Sequence, residues 1–402
     1  MYFDYIKDKM TKNRRIWLTL LLACIAVGVM RAQDKQNMFN PVNFGVTSLA
    51  IAPDARAGAM GDVGVATEAD ANSQYWNPAK YPFNIARAGV SASYTPWLRK
   101  LVNDINLANL AGFYRIGDYS ALSASLRYFS LGEVFLSEDE DAMSISPYEF
   151  SFDLGYSRML SECFSMGVAL RFIYSDITYD YTAESSAGKA FAADIAMYRN
   201  GYFMMGNREC SLAWGLNINN IGSKISYGGD DNAEFIPTNL RLGINLTIPF
   251  NDYNRFSISA DANKLLVPTY PKQKEGESEE EYTDRVQREY YDVSPISGIF
   301  KSFGDAPNGF KEEMQEIQWS LGMEYTYNDR FSLRAGYHHE AANKGNRKYF
   351  TAGAGFHMSI FTIDAAYVFS TSQSNPLDQT MRFTLGFDLD GIKDMFSTRR
   401  RR

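Results

Sequence analysis

The residues able to do chemistry are few in this sequence, and their spacing does not favour a reaction. His338 and His339 are adjacent in an alternating segment, so their side chains face opposite ways and do not readily share a metal ion. His357 stands alone. Cys163 and Cys210 head alternate candidate strands on one rim, two strand spacings (roughly 9–10 Å) apart, which is beyond disulfide reach. The acidic run Glu138-Asp139-Glu140-Asp141 reads as a solvated turn before it reads as a cation site. Gly58, Gly61 and Gly64 are evenly spaced, unlike a dinucleotide fingerprint, and read as close-packing glycines. There is no phosphate-binding Gly-x-x-x-x-Gly-Lys loop and no Gly-x-Ser-x-Gly turn. These patterns predict no enzyme, no metal and no cofactor, and leave recognition as the chemistry to look for.

Two segments carry residues suited to recognition. The first, from Asn40 to Asn84, is rich in Ala and Gly and holds Asp54, Arg56, Gly58, Gly61, Asp62, Asn77 and Pro78. Placed ahead of the first long strand, it suits a plug inserted in a lumen, where Asp54 and Arg56 need internal partners. The second, 268–316, spans 49 residues and contains a dense charge run. It combines Glu279, Glu280 and Glu281 with Tyr282, Tyr290, Tyr291, Phe300, Phe303 and Phe310. Charge steers a partner and buried aromatics hold it, so this segment is a candidate partner-binding loop, solvated and partly helical.

The elements that must position these residues are written in period two. Trp319, Leu321, Met323, Tyr325 and Tyr327 share one face, against Gln318, Ser320, Gly322, Glu324 and Thr326. Leu240, Leu242, Ile244, Leu246 and Ile248 oppose Asn239, Arg241, Gly243, Asn245 and Thr247; Met381, Phe383, Leu385 and Phe387 oppose Arg382, Thr384 and Gly386. A soluble sandwich would bury the apolar face, whereas a transmembrane barrel turns it to lipid. The segments are often ten to twelve residues long, nearer the ~9–11 of a tilted membrane strand than the ~5–6 of a sandwich strand. Fourteen such segments run from near 87–97 to near 379–389, among them 120–135, 189–199 and 210–226. The fold class expected is all-β, a transmembrane antiparallel barrel of about 14 strands over residues 87–396, with 33–86 as a periplasmic or plug segment. Links near 118, 161, 252, 329 and 359 are short, and that around 200–209 is somewhat longer. The other set is generally longer, which predicts an extracellular side carrying 268–316 and periplasmic termini.

Composition agrees with this. Of 402 residues, 45% are hydrophobic and 14% aromatic, yet the mean hydropathy is −0.30, which excludes a bundle of membrane helices. Gly reaches 30 against 13 Pro, a balance suited to strands. The net charge of −7 argues against a nucleic-acid partner. A basic stretch and the apolar run Ile16–Met30 predict a signal peptide over 1–32, cleaved near Ala32, with a retained anchor and lipidation at Cys24 as alternatives. Without it the chain carries 34 basic and 45 acidic residues.

Residues 49–79, LAIAPDARAGAMGDVGVATEADANSQYWNPA, resemble the N-terminal signature of the PorV proteins of the type IX secretion system, which are FadL-like outer-membrane barrels. The match rests on Pro53-Asp54-Ala55-Arg56-Ala57-Gly58, Met60-Gly61-Asp62, Gly64-Val65-Ala66, Asp70-Ala71-Asn72 and Trp76-Asn77-Pro78-Ala79. The chain departs from a common barrel ending, because Phe396 is followed by Ser-Thr and four Arg, so an assembly signal near Phe387 is expected instead. The resemblance implies a barrel in outer-membrane lipid that receives secreted cargo with a C-terminal β-domain from the translocon. It then delivers that cargo to a sortase-like surface attachment complex. The alternative is a FadL-like transporter of hydrophobic small molecules, which the polar and glycine inner faces do not favour.

Overall fold

Alternation becomes a closed wall when every strand is apolar on one side only. The computed structural model describes residues 39–390 except 101, 103, 136–143, 178–185, 229–232, 275, 359 and 371–376. The expected signal peptide, Glu138–Asp141 and Phe396 therefore lie outside the described residues.

Fourteen strands form one antiparallel meander that closes on itself. They are β1 (Ala88–Pro96), β2 (Asn106–Ile116), β3 (Ser120–Ser130), β4 (Tyr148–Ser161), β5 (Phe164–Asp176), β6 (Gly188–Met205) and β7 (Arg208–Gly222). The second half is β8 (Asn239–Asn251), β9 (Asn254–Leu265), β10 (Gln318–Tyr327), β11 (Phe331–His339), β12 (Lys348–His357), β13 (Phe361–Ser370) and β14 (Met381–Asp388). Closure is made by β14 against β1, with Val90 opposite Phe387 and Tyr94 opposite Phe383.

The apolar faces point outward. Leu242, Ile244, Leu321, Met323, Phe383 and Leu385 are exposed, while Arg241, Asn245, Ser320, Glu324, Arg382 and Thr384 on the same strands are buried. A sandwich would show the reverse. Outward aromatics gather at both rims: Tyr128, Tyr148 and Tyr174 stack in series at one, as do Trp319, Tyr337 and Phe350. Phe250 stacks on Phe256 at the other. Trp319 and Tyr327 at the ends of β10 are eight residues apart, ~26 Å along the strand and about 20 Å of membrane at the usual tilt.

Two expected boundaries differ. The 120–135 segment stops at Ser130, and Val134–Phe135 pairs instead with Ser144–Ile145 in a small ribbon above the rim. The connection expected over 200–209 is a tight turn at Gly206 and Asn207, because β6 and β7 stay paired up to Met205 and Arg208. Gly206 adopts φ +66, which lets the turn close. The backbone N–H of Arg87 donates to the Asp390 carboxylate, so both ends of the barrel meet at the short-turn rim.

Candidate functional site: a filled lumen beneath a helical loop

The polar inner faces need partners, and residues 40–84 supply them. Asp54 caps the short helix α1 (Ala55–Ala59), accepting from the Ala57 N–H at 2.9 Å. Its other oxygen accepts from the Trp76 indole at 2.6 Å, joining α1 to α2 (Ser73–Trp76). Arg56 donates through Nε and Nη2 to Glu324 on β10 and through Nη1 to Asp70 at 3.0 Å. Glu324 also accepts from Arg334 on β11, which reaches Asp364 on β13. Asp62 is paired with Arg382 on β14 and accepts from the Tyr349 hydroxyl. Charges are thus neutralised in chains that run from the inserted segment into the wall.

The glycines and Asn-Pro set the close approach. Gly61 has φ +74, and a Cβ there would lie 2.7 Å from the Tyr337 backbone nitrogen. Gly58 sits against the Arg382 guanidinium. Asn77 caps the 3-10 turn Pro78–Phe83 through the Ala79 N–H and donates to the carbonyls of Val65 and Met197. Pro78, at the first position of that turn, gives up no hydrogen bond there.

Wall residues that sequence reasoning left unassigned complete this arrangement. Asp261 on β9 accepts from the Gly64 and Val65 N–H groups at 2.8 and 3.0 Å. Buried Lys80 donates to the Gly64 carbonyl and Thr67. The Arg241 guanidinium lies over the Tyr75 and Trp76 rings, and that of Arg127 over the Tyr75 ring. Glu324, Arg382 and Arg241 were legible as lumen-facing from the alternation, but their partners were not.

Toward the long-loop rim the filling stops and a cavity of about 530 Å³ opens. Val42, Phe44, Ile51, Trp97, Leu265 and Leu377 give it apolar surface, and Asp62, Glu316, Glu340, Lys344, Arg347 and Arg382 give it charge. Those charges pair with one another, Lys344 with Glu316, Arg347 with Glu340 and Arg382 with Asp62.

The 268–316 loop reaches this cavity through Glu316. It folds into α3 (Glu279–Val286), a π turn (Gln287–Tyr291), α4 (Pro295–Lys301) and α5 (Phe310–Gln315). Ser278 and Glu281 form a reciprocal capping box, so Glu281 has a structural task, whereas Glu279 and Glu280 are exposed. The hydrogen bond from Arg285 holds the Glu277 carboxyl down at about 2. Tyr290 departs from its expected role as a partner anchor. It is 2% exposed, packed with Phe235, Tyr270 and Val267, and donates to the Asn43 carbonyl. The loop folds back on the rim, so this ring is already buried. Tyr291 is half-buried in the same cluster, and Tyr282 is half-buried and donates to the Pro271 carbonyl. Phe300 and Phe303 are exposed.

His338 faces the lumen and is hydrogen-bonded to Ser320; His339 faces outward and stacks on Trp319. No cluster of metal-ligating side chains occurs among the described residues, and Cys163 and Cys210 are both free. No helix among the described residues is long and apolar enough to cross a membrane.

A family profile described as type IX secretion system protein PorV matches residues 32–272. No curated protein matches the sequence. Among solved structures, a monoaromatic hydrocarbon channel, the TodX deltaS2S3 mutant, superposes with a TM-score of 0.50 at 13% identity, covering 83% of this chain and 98% of that one. The Ralstonia pickettii toluene transporter TbuX covers 85% of this chain and 99% of its own at 11% identity and a TM-score of 0.44. A Pseudomonas aeruginosa FadL homologue covers 84% and 98% at 12% identity and 0.40. The likeness to the first of these is one of fold.

Proposed function

The chain belongs to the type IX secretion system protein PorV family and is an outer-membrane barrel of that system, and from this premise we propose that it carries cargo rather than conducting solutes. In this reading it binds the C-terminal β-domain of secreted cargo leaving the translocon. It then brings that cargo to a sortase-like surface complex, where the covalent chemistry belongs to the partner. Residues 33–86 act as a plug, and Asp54, Arg56, Gly58, Gly61, Asp62, Asn77 and Pro78 hold it in place.

One observation carries the proposal. The lumen is crossed by the Arg56–Glu324–Arg334–Asp364 chain and by the Asp62–Arg382 pair, all within hydrogen-bond distance. A greasy path through such a charged, close-packed filling would strand buried charges. Recognition then falls to the long-loop side, where the cavity mouth and the exposed Glu279 and Glu280 lie. The test is a pull-down of the tagged protein from detergent extracts. Recovery of secreted proteins that share a C-terminal β-domain supports the reading, and their absence from a preparation that retains the folded barrel overturns it.

The apolar part of the cavity favours a second reading, uptake of a hydrophobic small molecule at the outer rim. Equal uptake of such a compound by cells with and without the protein would remove it.

A further inference from the structure

The chain ahead of α1 runs round the inside of the long-loop rim. Followed back from Ala55, its anchors pass along the wall in strand order. The Ala55 N–H donates to Thr384 on β14 at 2.9 Å, and the Ile51 carbonyl accepts from Arg127 on β3 at 3.1 Å. The Ser48 N–H donates to Glu149 on β4 at 2.9 Å, and Val46 and Leu49 pack with Ile173 of β5 and Ala190 of β6. The Gly45 N–H donates at 2.8 Å to the Phe235 carbonyl in the β7–β8 link. The Asn43 carbonyl accepts at 3.2 Å from Tyr290 in the β9–β10 loop. Asn40 ends the series. Its N–H donates at 2.7 Å to the Asn343 carbonyl in the β11–β12 link, and its side-chain amide donates at 3.1 Å to Glu312. Residues 40–55 thus form a collar under the rim, and backbone groups that have no ladder of their own find partners in the wall and the loops.

The collar fixes the side from which the chain enters. Asn40 is buried at the long-loop rim, and Phe39 just before it is 64% exposed. At the other end of the inserted segment, the Asn84 carbonyl accepts from Arg115 at 2.7 Å and Arg87 meets Asp390, both at the short-turn rim. The segment therefore crosses the lumen from one rim to the other before β1 begins. The sequence predicts periplasmic termini, and the end of β14 agrees, but the amino-terminal approach is from the opposite rim. With processing near Ala32, residues 33–38 remain ahead of Phe39. Fully extended they reach ~20 Å. That is about the apolar height of the wall alone, and the lumen below is already filled around the Arg56–Glu324 and Asp62–Arg382 pairs.

We propose that the chain is threaded through its own barrel, with its mature amino terminus on the long-loop side, beside the cavity mouth. Pro41, Val42 and Phe44 of the collar line that cavity. A surface partner that reaches the cavity therefore meets the start of the collar as well, and the amino terminus is accessible from the same side. The inference rests on the barrel alone and does not depend on cargo binding.

The test uses the full chain with Cys24, Cys163 and Cys210 replaced by Ala, produced in cells and checked for fold by heat-modifiable gel mobility. Gln36→Cys is compared with Ser186→Cys, on the long-loop rim, and Asp118→Cys, at a short turn. Each is treated with a membrane-impermeant maleimide before and after the outer membrane is permeabilised. In intact cells the cysteine at 36 should label as 186 does, at least about tenfold more than 118. A barrel inserted the other way round would exchange 186 and 118, and 36 would still follow 186. Labelling of 36 in step with 118 would put the amino terminus at the short-turn rim and overturn the proposal. Failure of 36 to label in either state would leave the terminus shut in the lumen and overturn it equally.

Discussion

Arg56, near the start of the chain's inserted segment, lies 3.0 Å from Glu324 on the tenth strand, 268 residues away in sequence. Glu324 also takes the guanidinium of Arg334, so one buried carboxylate serves both the insert and the wall.

Removing Arg56 leaves Asp70 without this partner and Glu324 with Arg334 alone. Arg56→Ala should keep the barrel closed but loosen its filling, with a loss of about 3 kcal/mol typical of a broken buried pair. The measurement is the temperature at which the folded band disappears on a gel, together with ion conductance across a planar bilayer. Unchanged heat stability and unchanged cargo secretion would remove the support for a plug role.

Gly61 and Gly117 both have positive φ, but their surroundings differ. A Cβ at Gly61 meets the Tyr337 backbone, and one at Gly117 meets nothing within 4 Å. Gly117→Ala should therefore cost only the ~1 kcal/mol of left-handed strain, and Gly61→Ala distinctly more. Parallel heat-modifiability curves of the two variants decide this, and equal midpoints would count against close packing at Gly61.

Glu279→Ala with Glu280→Ala should leave the fold intact, because both side chains are exposed. Under the cargo reading, release or attachment of cargo should fall in this variant. Tyr290→Ala should instead disorder the loop, since its ring fills the Phe235–Tyr270 cluster. Limited proteolysis separates the two effects. Normal secretion by the double acidic variant would show that α3 grips nothing.

Burial raises the Glu312 carboxyl, but donation from Lys344 and Asn40 more than reverses this and holds it down at about 2. A depressed carboxylate contributes stability that is present above its unfolded value of about 4.3 and is lost as pH falls toward 2. Anchoring of α5 should weaken over that window, read as faster proteolysis within 310–316 by an acid-active protease. In Glu312→Gln the pH dependence should flatten.

The expected orientation is testable in intact cells. Single cysteines at Glu140, Ser186 and Asp230 should label from outside, and those at Asp118 and Asn254 should not. Ser186 is bonded to Tyr227 on the long-loop rim, and Asp118 and Asn254 lie at short turns, so the reverse pattern would invert the barrel.

The strands, their number and the face each turns to lipid were readable from residues two apart, because side-chain direction in a strand is local. Leu242 and Arg241 needed no tertiary information to be set on opposite sides. The Ala/Gly run with Asp54 and Arg56 likewise announced a segment that needs internal partners. Three things belonged to the tertiary structure alone. The register in which β14 closes on β1 and the meeting of Arg56 with Glu324 join residues hundreds of positions apart, and a cross-strand register leaves no local trace. Tyr290 and Phe300 look alike in sequence, yet one fills the loop's core and the other stands outside. That difference is set by what Phe235 covers, the Tyr290 ring in one turn and Gly298 rather than Phe300 on the next helix, since a helix of one or two turns has too few residues to declare its buried side by spacing.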